Sequence, residues 1–343
     1  MKKKIVKFNN YPSFSELKDI ILYSLSGKQW KIIGEKPLGS GMEAIVCLGE
    51  LMESKIKKYY VAIKIAYDNT SLFYEKNILK SLKDIKEGFP KLIDEGFDKE
   101  KKIIFFMEEL LGDTIEDIFK KNKGFSNSTL ANIAIQLINS LEKIHEKGYV
   151  IRDISSKNIL NGRDDNSNKL YFIDLGIAQS INKTGEKKHI DIYKKQQLFE
   201  GTPIFGSING LIGKGQTRRD DLESLAYLLI YLNKGNLPWE KKAKKIKKWT
   251  MKNYQNLSIE IKNFPIDELC LGLPNNFKKY LNIVRKLNFS EQPNYELLKN
   301  LFEKESKKKN SDLLINKIVS KTKKRKIVSK SQLKTSSKKK KIN

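Results

Sequence analysis

The chain has only two cysteines and two histidines in its 343 residues. Cys47 and Cys270 lie far apart and form no spaced pair. That argues against a disulfide framework or a zinc site and fits a reducing compartment. Two histidines, His145 and His189, are too few for a histidine-rich metal centre. No apolar run approaches the ~18 residues that span a bilayer, and Met1-Lys2-Lys3-Lys4 is not followed by the apolar stretch of a secretory signal. The expectation is a protein without a transmembrane segment, cytoplasmic or nuclear or both. Acidic residues are also scarce, 40 against 67 lysines and arginines, for a net charge of +27.

That charge is uneven. Residues 304–343 hold 16 lysines and arginines against two acidic residues, a net +14, which leaves +13 on the rest. Clusters such as Lys323-Lys324-Arg325-Lys326 in a segment poor in apolar residues predict a disordered basic tail. Nuclear localisation, nucleic acid or another polyanion, and an anionic membrane are all compatible with it, as is a plain solvated tail. The excess charge on the body favours acidic or phosphorylated substrates by steering.

The remainder is globular in composition, 39% hydrophobic and 10% aromatic, and long enough for two lobes. Ser13-Phe14-Ser15-Glu16 has the form of a capping box. Leu17, Ile20, Ile21 and Leu25 follow at helical spacing and predict a short helix ahead of the main fold. From Trp30 to Met107 the signals are mostly strands: Ile32-Ile33, Ala44 to Leu48, Tyr59 to Ile65 and Ile103 to Met107. One helix, with Leu72, Phe73, Leu79 and Leu82 in a stripe around Glu75, interrupts them. Beyond Leu110 helices dominate. Leu130 to Ile144 is amphipathic, and Asp221 to Leu232 is apolar nearly all round, which places it inside a domain. The fold class expected is therefore α+β: a small β-rich lobe, then a larger helical lobe, with a ligand cleft at their boundary.

The chemistry-bearing residues fall along this boundary. Gly39-Ser40-Gly41-Met42-Glu43-Ala44-Ile45-Val46 sits between two strand signals, and its glycines can bring backbone N–H groups close to phosphates. Its third glycine position is Ala44, and a carboxylate, Glu43, stands at the tip. Lys64, in the strand Val61-Ala62-Ile63-Lys64, is placed to hold phosphates and to pair with Glu75 on the helix. Met107-Glu108-Glu109-Leu110-Leu111-Gly112 is the hinge, and either Met107 or Glu108 guards the back of the pocket. Asp153, in Asp153-Ile154-Ser155-Ser156-Lys157-Asn158, can accept or orient a hydroxyl. Asn158 and Asp174, the latter in Asp174-Leu175-Gly176, offer hard oxygen ligands for magnesium. In that order, these residues are the equipment of phosphoryl transfer from ATP. The expected nucleotide site comprises Gly39, Ser40, Gly41, Val46, Ala62, Lys64, Glu109, Leu110 and Leu111.

Residues 28–303 resemble the protein kinase superfamily, and particular segments resemble its casein kinase 1 family. These are Met107 to Phe119, Gly201-Thr202, Ser207-Ile208-Asn209, Arg218-Arg219-Asp220-Asp221-Leu222-Glu223-Ser224-Leu225, Leu237-Pro238-Trp239 and Leu273-Pro274 through Tyr280-Leu281. The resemblance implies a bilobal kinase fold, with an N-terminal extension over 1–27, an N-lobe over about 28–108, a C-lobe over about 112–303 and the tail over 304–343. It implies ATP and Mg2+, and transfer to Ser or Thr of acidic or already phosphorylated proteins. It also implies that Asp221 anchors the catalytic-loop backbone and that Thr202 bonds near Asp153. The chain departs from the pattern at Ile151 in place of His and at Leu175 in place of Phe, both apolar packing positions. Ile204 replaces the arginine that helps bind a primed phosphate, although Lys241 to Lys248 supply other positive charge. Ser155 replaces the lysine that touches the transferring phosphate. Lys157, two residues on, is the candidate to restore that charge. The alternatives to an active kinase are a pseudokinase scaffold and, as an accessory activity, nucleic-acid binding by the tail.

Overall fold

Alternating apolar residues build the first half into a curled sheet. The computed structural model of the chain describes residues 11–41, 43–53, 58–67, 70–182 and 197–308. A short helix, α1 (Phe14–Leu17), leads into strands β1 (Ile21–Tyr23), β2 (Gln29–Ile33), β3 (Gly39–Ser40), β4 (Ile45–Leu51) and β5 (Tyr60–Tyr67). Helix α2 (Thr70–Ser81) interrupts them before β6 (Leu92–Asp98) and β7 (Ile103–Glu109). The antiparallel sheet runs β1-β2-β4-β5-β7-β6, with β3 paired to β4. Its two edges approach each other: Leu25 N–H donates to Glu95 O at 2.8 Å, and Ser26 Oγ to Asp94 Oδ2 at 2.5 Å. The curl encloses Leu22, Trp30, Ile32, Cys47, Ile63, Phe105 and Met107 in a core of their own. The opposite face of β4, β5 and β7 looks toward α2 and the helical lobe.

The start of the chain departs from the expected helix. Ser13 N–H does donate to Glu16 Oε2 at 2.7 Å, as the capping pattern predicts. The helix nonetheless stops at Leu17, and Asp19 turns into the left-handed region at φ 63°. Ile21, Leu22 and Tyr23 then pair with β2. Leu22 enters the sheet core, where a helix could not place it while also satisfying the β2 edge. Strand β6 was not legible in advance, since Asp94, Glu95 and Asp98 interrupt its apolar pattern. It is held by the ladder to β7.

The second lobe opens with α3 (Ile115–Asn122) and α4 (Asn127–Glu146). Two small ribbons follow, β8 (Tyr149–Val150) paired with β11 (Gln179–Ser180), and β9 (Ile159–Asn161) paired with β10 (Leu170–Phe172). Then come α5 (Ile208–Leu211), α6 (Arg218–Lys234), α7 (Glu240–Lys245), α8 (Met251–Asn263), α9 (Ile266–Leu269), α10 (Asn275–Val284) and α11 (Tyr295–Ser306). Helix α6 is the apolar segment of the sequence, and Leu222, Leu225, Leu228, Leu229 and Leu232 are fully enclosed. A helix buried on every side fixes the elements around it. The α+β architecture of a sheet lobe followed by a helical lobe is the one expected. No helix among the described residues is long and apolar enough to cross a membrane. The predicted basic tail lies outside the described residues from 309 onward.

Candidate active site

Lys64 comes from β5, on the face turned away from the sheet core. Its Nζ donates to Glu75 Oε2 at 2.6 Å and to Asp174 Oδ1 at 2.9 Å. Glu75, on α2, is 2% exposed and also accepts Leu175 N–H at 3.1 Å. Two carboxylates from separate segments thus converge on one cation. Burial opposes the charge of Lys64, but Glu75 and Asp174 outweigh it and hold the ammonium above its ordinary value. Lys64 in turn holds the Asp174 carboxyl below its ordinary value.

The loop between β8 and β9 carries Asp153. Its position is set from beneath by Asp221 near the start of α6. Asp221 Oδ2 accepts Ile151 N–H at 2.7 Å, and Oδ1 accepts Arg152 N–H at 2.9 Å. These two bonds hold Arg152 at φ 70°, a costly conformation for a residue with a side chain. Asp153 Oδ1 then accepts Thr202 N–H at 2.8 Å and Thr202 Oγ1–H at 2.7 Å. Asp153 Oδ2 accepts from Asn158 Nδ2 at 2.8 Å. Burial raises the Asp153 carboxyl above its ordinary value, and the Thr202 and Asn158 bonds work against that rise. Gly201 lets the chain come this close: its φ is +118°, and a Cβ there would lie 2.4 Å from Arg152 O.

The glycine segment lies across the cleft from this loop. Gly39 and Ser40 pair with Val46 and Ile45, and Val46 stands opposite Lys64. Gly41 N–H closes a turn on Ala44 O at 3.0 Å, with Glu43 exposed at its tip. Tyr11, from ahead of α1, donates its hydroxyl to Gly41 O at 3.0 Å. At the other end, Ala62 stands opposite Glu108, and Glu109 leads through Leu110 and Leu111 into the helical lobe. The register settles which hinge residue guards the cleft: Met107 packs into the sheet core, so Glu108 takes the cleft face.

Ser155 is 4% exposed, and Lys157 is exposed one residue before Asn158. Lys157 exerts its charge on Glu116, which accepts Ser156 Oγ–H at 2.6 Å. No bond joins Lys157 to Asp153 among the described residues. Ile151 and Leu175 are buried and fill the apolar positions that their replacements suggest.

Several residues that shape the site carried no local signal. His145 Nε2 lies 2.9 Å from Asp221 Oδ2, and its Nδ1 lies 2.6 Å from the Tyr295 hydroxyl. Gln216 Nε2 donates to Arg152 O at 3.2 Å, and Glu200 pairs with the Arg152 guanidinium at 3.0 Å. These contacts join segments 48 to 150 residues apart.

The donor set suits magnesium. Asn158 spends its amide nitrogen on Asp153, which leaves its carbonyl oxygen for a cation. The Asp174 side chain is 52% exposed and has a second oxygen beyond the one that meets Lys64. Magnesium asks for one or two protein oxygens and takes the rest from phosphates and water. No group of three or more His, Cys, Asp or Glu that could hold a metal alone occurs among the described residues. The protein kinase domain matches residues 33–334, from within β2 to beyond α11. A sheet lobe bearing the lysine–glutamate pair, a helical lobe bearing the carboxylate loop, and this match over most of the sequence make the chain a member of the protein kinase family.

Proposed function

We propose that the chain is an ATP- and magnesium-dependent serine/threonine kinase of the casein kinase 1 type, acting on acidic proteins. The observation that carries this reading is the Asp153 carboxylate. It is oriented by Thr202 and Asn158 within a cleft whose Lys64–Glu75 pair is already formed. A hydroxyl oxygen of the substrate attacks the γ-phosphorus as the bond to the bridging oxygen of ADP breaks. Asp153 orients that hydroxyl and takes its proton. Lys64 holds phosphate oxygens, and Gly39, Ser40 and Gly41 cover them with backbone N–H groups. Val46, Ala62, Glu109, Leu110 and Leu111 enclose the base. Magnesium held by Asn158 and Asp174 would offset the charge of the phosphate oxygens.

The Thr202 bond to Asp153 favours Ser or Thr as acceptor. Exposed lysines favour acidic substrates: Lys242 and Lys244 pair with Glu260 and Glu240, whereas Lys241, Lys245, Lys247 and Lys248 form no ion pair among the described residues. Ile204 offers no charge for a primed phosphate, and its carbonyl accepts Trp239 Nε1–H at 2.8 Å. The proposed place of action is the cytoplasm or the nucleus. In the decisive assay the full chain receives magnesium-ATP with an acidic protein and, separately, a neutral one, beside an Asp153→Asn control. Transfer to Ser or Thr of the acidic protein is expected. No transfer above the control, from folded protein, would replace this reading with a pseudokinase scaffold.

A further inference from the structure

Residues 11–26 form a brace alongside β2. Its far end is fixed where the two sheet edges meet: Leu25 N–H donates to Glu95 O at 2.8 Å, and Ser26 Oγ to Asp94 Oδ2 at 2.5 Å. Asp94 also accepts Trp30 Nε1–H at 3.4 Å and Glu95 N–H at 2.9 Å. The middle is fixed by β2 itself. Strand β1 pairs with it, Asp19 N–H donates to Ile32 O at 3.1 Å, and Ile32 N–H donates to Ile20 O at 2.9 Å. Leu17 and Leu22, each 1% exposed, belong to the sheet core. The near end is Tyr11. Its ring packs, partly buried, against that same core, and its hydroxyl donates to Gly41 O at 3.0 Å. A residue 30 positions earlier in the chain thus holds the main chain of the glycine turn.

That turn is thinly packed. A Cβ at Gly39 would meet nothing within 4 Å, and one at Gly41 would meet only Ala44 O, at 3.9 Å. An open glycine turn must be ordered before its N–H groups can serve phosphates, and that ordering costs conformational entropy. An anchor that holds the turn in advance removes part of the cost from binding. The Tyr11 ring is itself held by packing, so its hydroxyl enters the bond with few rotamers to lose. We propose, on the reading of the cleft as a nucleotide site, that Tyr11 is a positioning residue for the phosphate end: its hydroxyl tethers the glycine turn, which raises affinity for the triphosphate and slows its release.

The tether acts only where phosphates lie. Adenosine fills the base end of the cleft, from Ala62 to Leu111, and carries no phosphate for the turn to cover. Loss of the Tyr11 hydroxyl therefore weakens ATP and spares adenosine. A general loosening of the sheet lobe would weaken both.

The test is Tyr11→Phe in the full chain, a change that keeps the ring and its packing. Equilibrium affinity for magnesium-ATP should fall about two- to tenfold, the range that one neutral hydrogen bond is worth. The loss should appear as faster dissociation, and adenosine affinity should not change. Amide exchange in the free protein adds a readout that needs no nucleotide. Gly41 N–H, bonded to Ala44 O at 3.0 Å, should exchange faster by a similar factor, while amides of β5 and β7 keep their rates. An ATP affinity that does not move, equal losses for ATP and adenosine, or unchanged exchange at Gly41 overturns the proposal. Wild-type protein that binds neither ATP nor adenosine overturns the nucleotide-site reading instead, and the exchange rates then decide whether the tether holds the turn.

Discussion

Asp221 is the residue whose replacement best separates the scaffold of the site from its chemistry. It is 1% exposed and accepts three hydrogen bonds, from Ile151 N–H, Arg152 N–H and the His145 imidazole. Asp221→Asn conserves shape and can keep the Arg152 bond through its one oxygen. The amide nitrogen then faces Ile151 N–H, donor against donor, and His145 must switch tautomer to accept from it. An orphaned buried donor costs about 1–3 kcal/mol, and unfolding by urea should register a loss of that size. Asp221→Ala orphans all three groups and should lose at least about 3 kcal/mol by the same reasoning. The larger effect is expected on turnover. Without both bonds the strained Arg152 backbone relaxes, and Asp153, its next neighbour, shifts with it. A misplacement of about 1 Å commonly lowers rate on the order of 10²-fold. Nucleotide affinity should change little, because Lys64 and Glu75 are held from the other lobe. A variant Asp221→Asn with wild-type stability and full turnover would refute the claim that these bonds position Asp153.

Two further outcomes follow from the site. Asp153 must be ionised to take a proton, and burial raises its carboxyl, so kcat/KM should fall as pH drops through a value above that of an ordinary aspartate. Thr202→Val removes a bond that lowers this value, so the acid limb should move to higher pH; an unmoved limb would exclude Asp153 as its origin. Lys157→Ala, if Lys157 supplies the charge that Ser155 cannot, should cut turnover strongly with little change in ATP binding. A near-wild-type rate would reject that role.

Much of the site was legible because each of its residues sits in a local pattern that the backbone enforces. The strand ending in Lys64, the helix stripe around Glu75 and the apolar run of α6 are periodicities of 2 or 3.6 residues. Such periods declare the element and the face together. The N-terminal segment misled for the same reason. Leu17, Ile20, Ile21 and Leu25 satisfy a helical period, but the unpaired edge of β2 and the space beside Trp30 favoured a strand. Long-range chemistry had no such signature. Nothing near His145 indicates that its two ring nitrogens meet Asp221 and Tyr295, across 76 and 150 residues of sequence.

The sequence by itself determined the order of parts: a glycine segment, a strand lysine, a helix glutamate, a loop carboxylate with an amide, and a second carboxylate, ahead of a helix too apolar to face water. Side-chain chemistry and periodicity are local properties, so they survive in a one-dimensional record. Tertiary structure alone decided that Asp174 joins Glu75 on Lys64, and that Glu108 rather than Met107 lines the cleft. Those outcomes depend on strand register and on the packing of segments far apart in the chain. A one-residue change of register would send Glu108 into the sheet core and Met107 into the cleft.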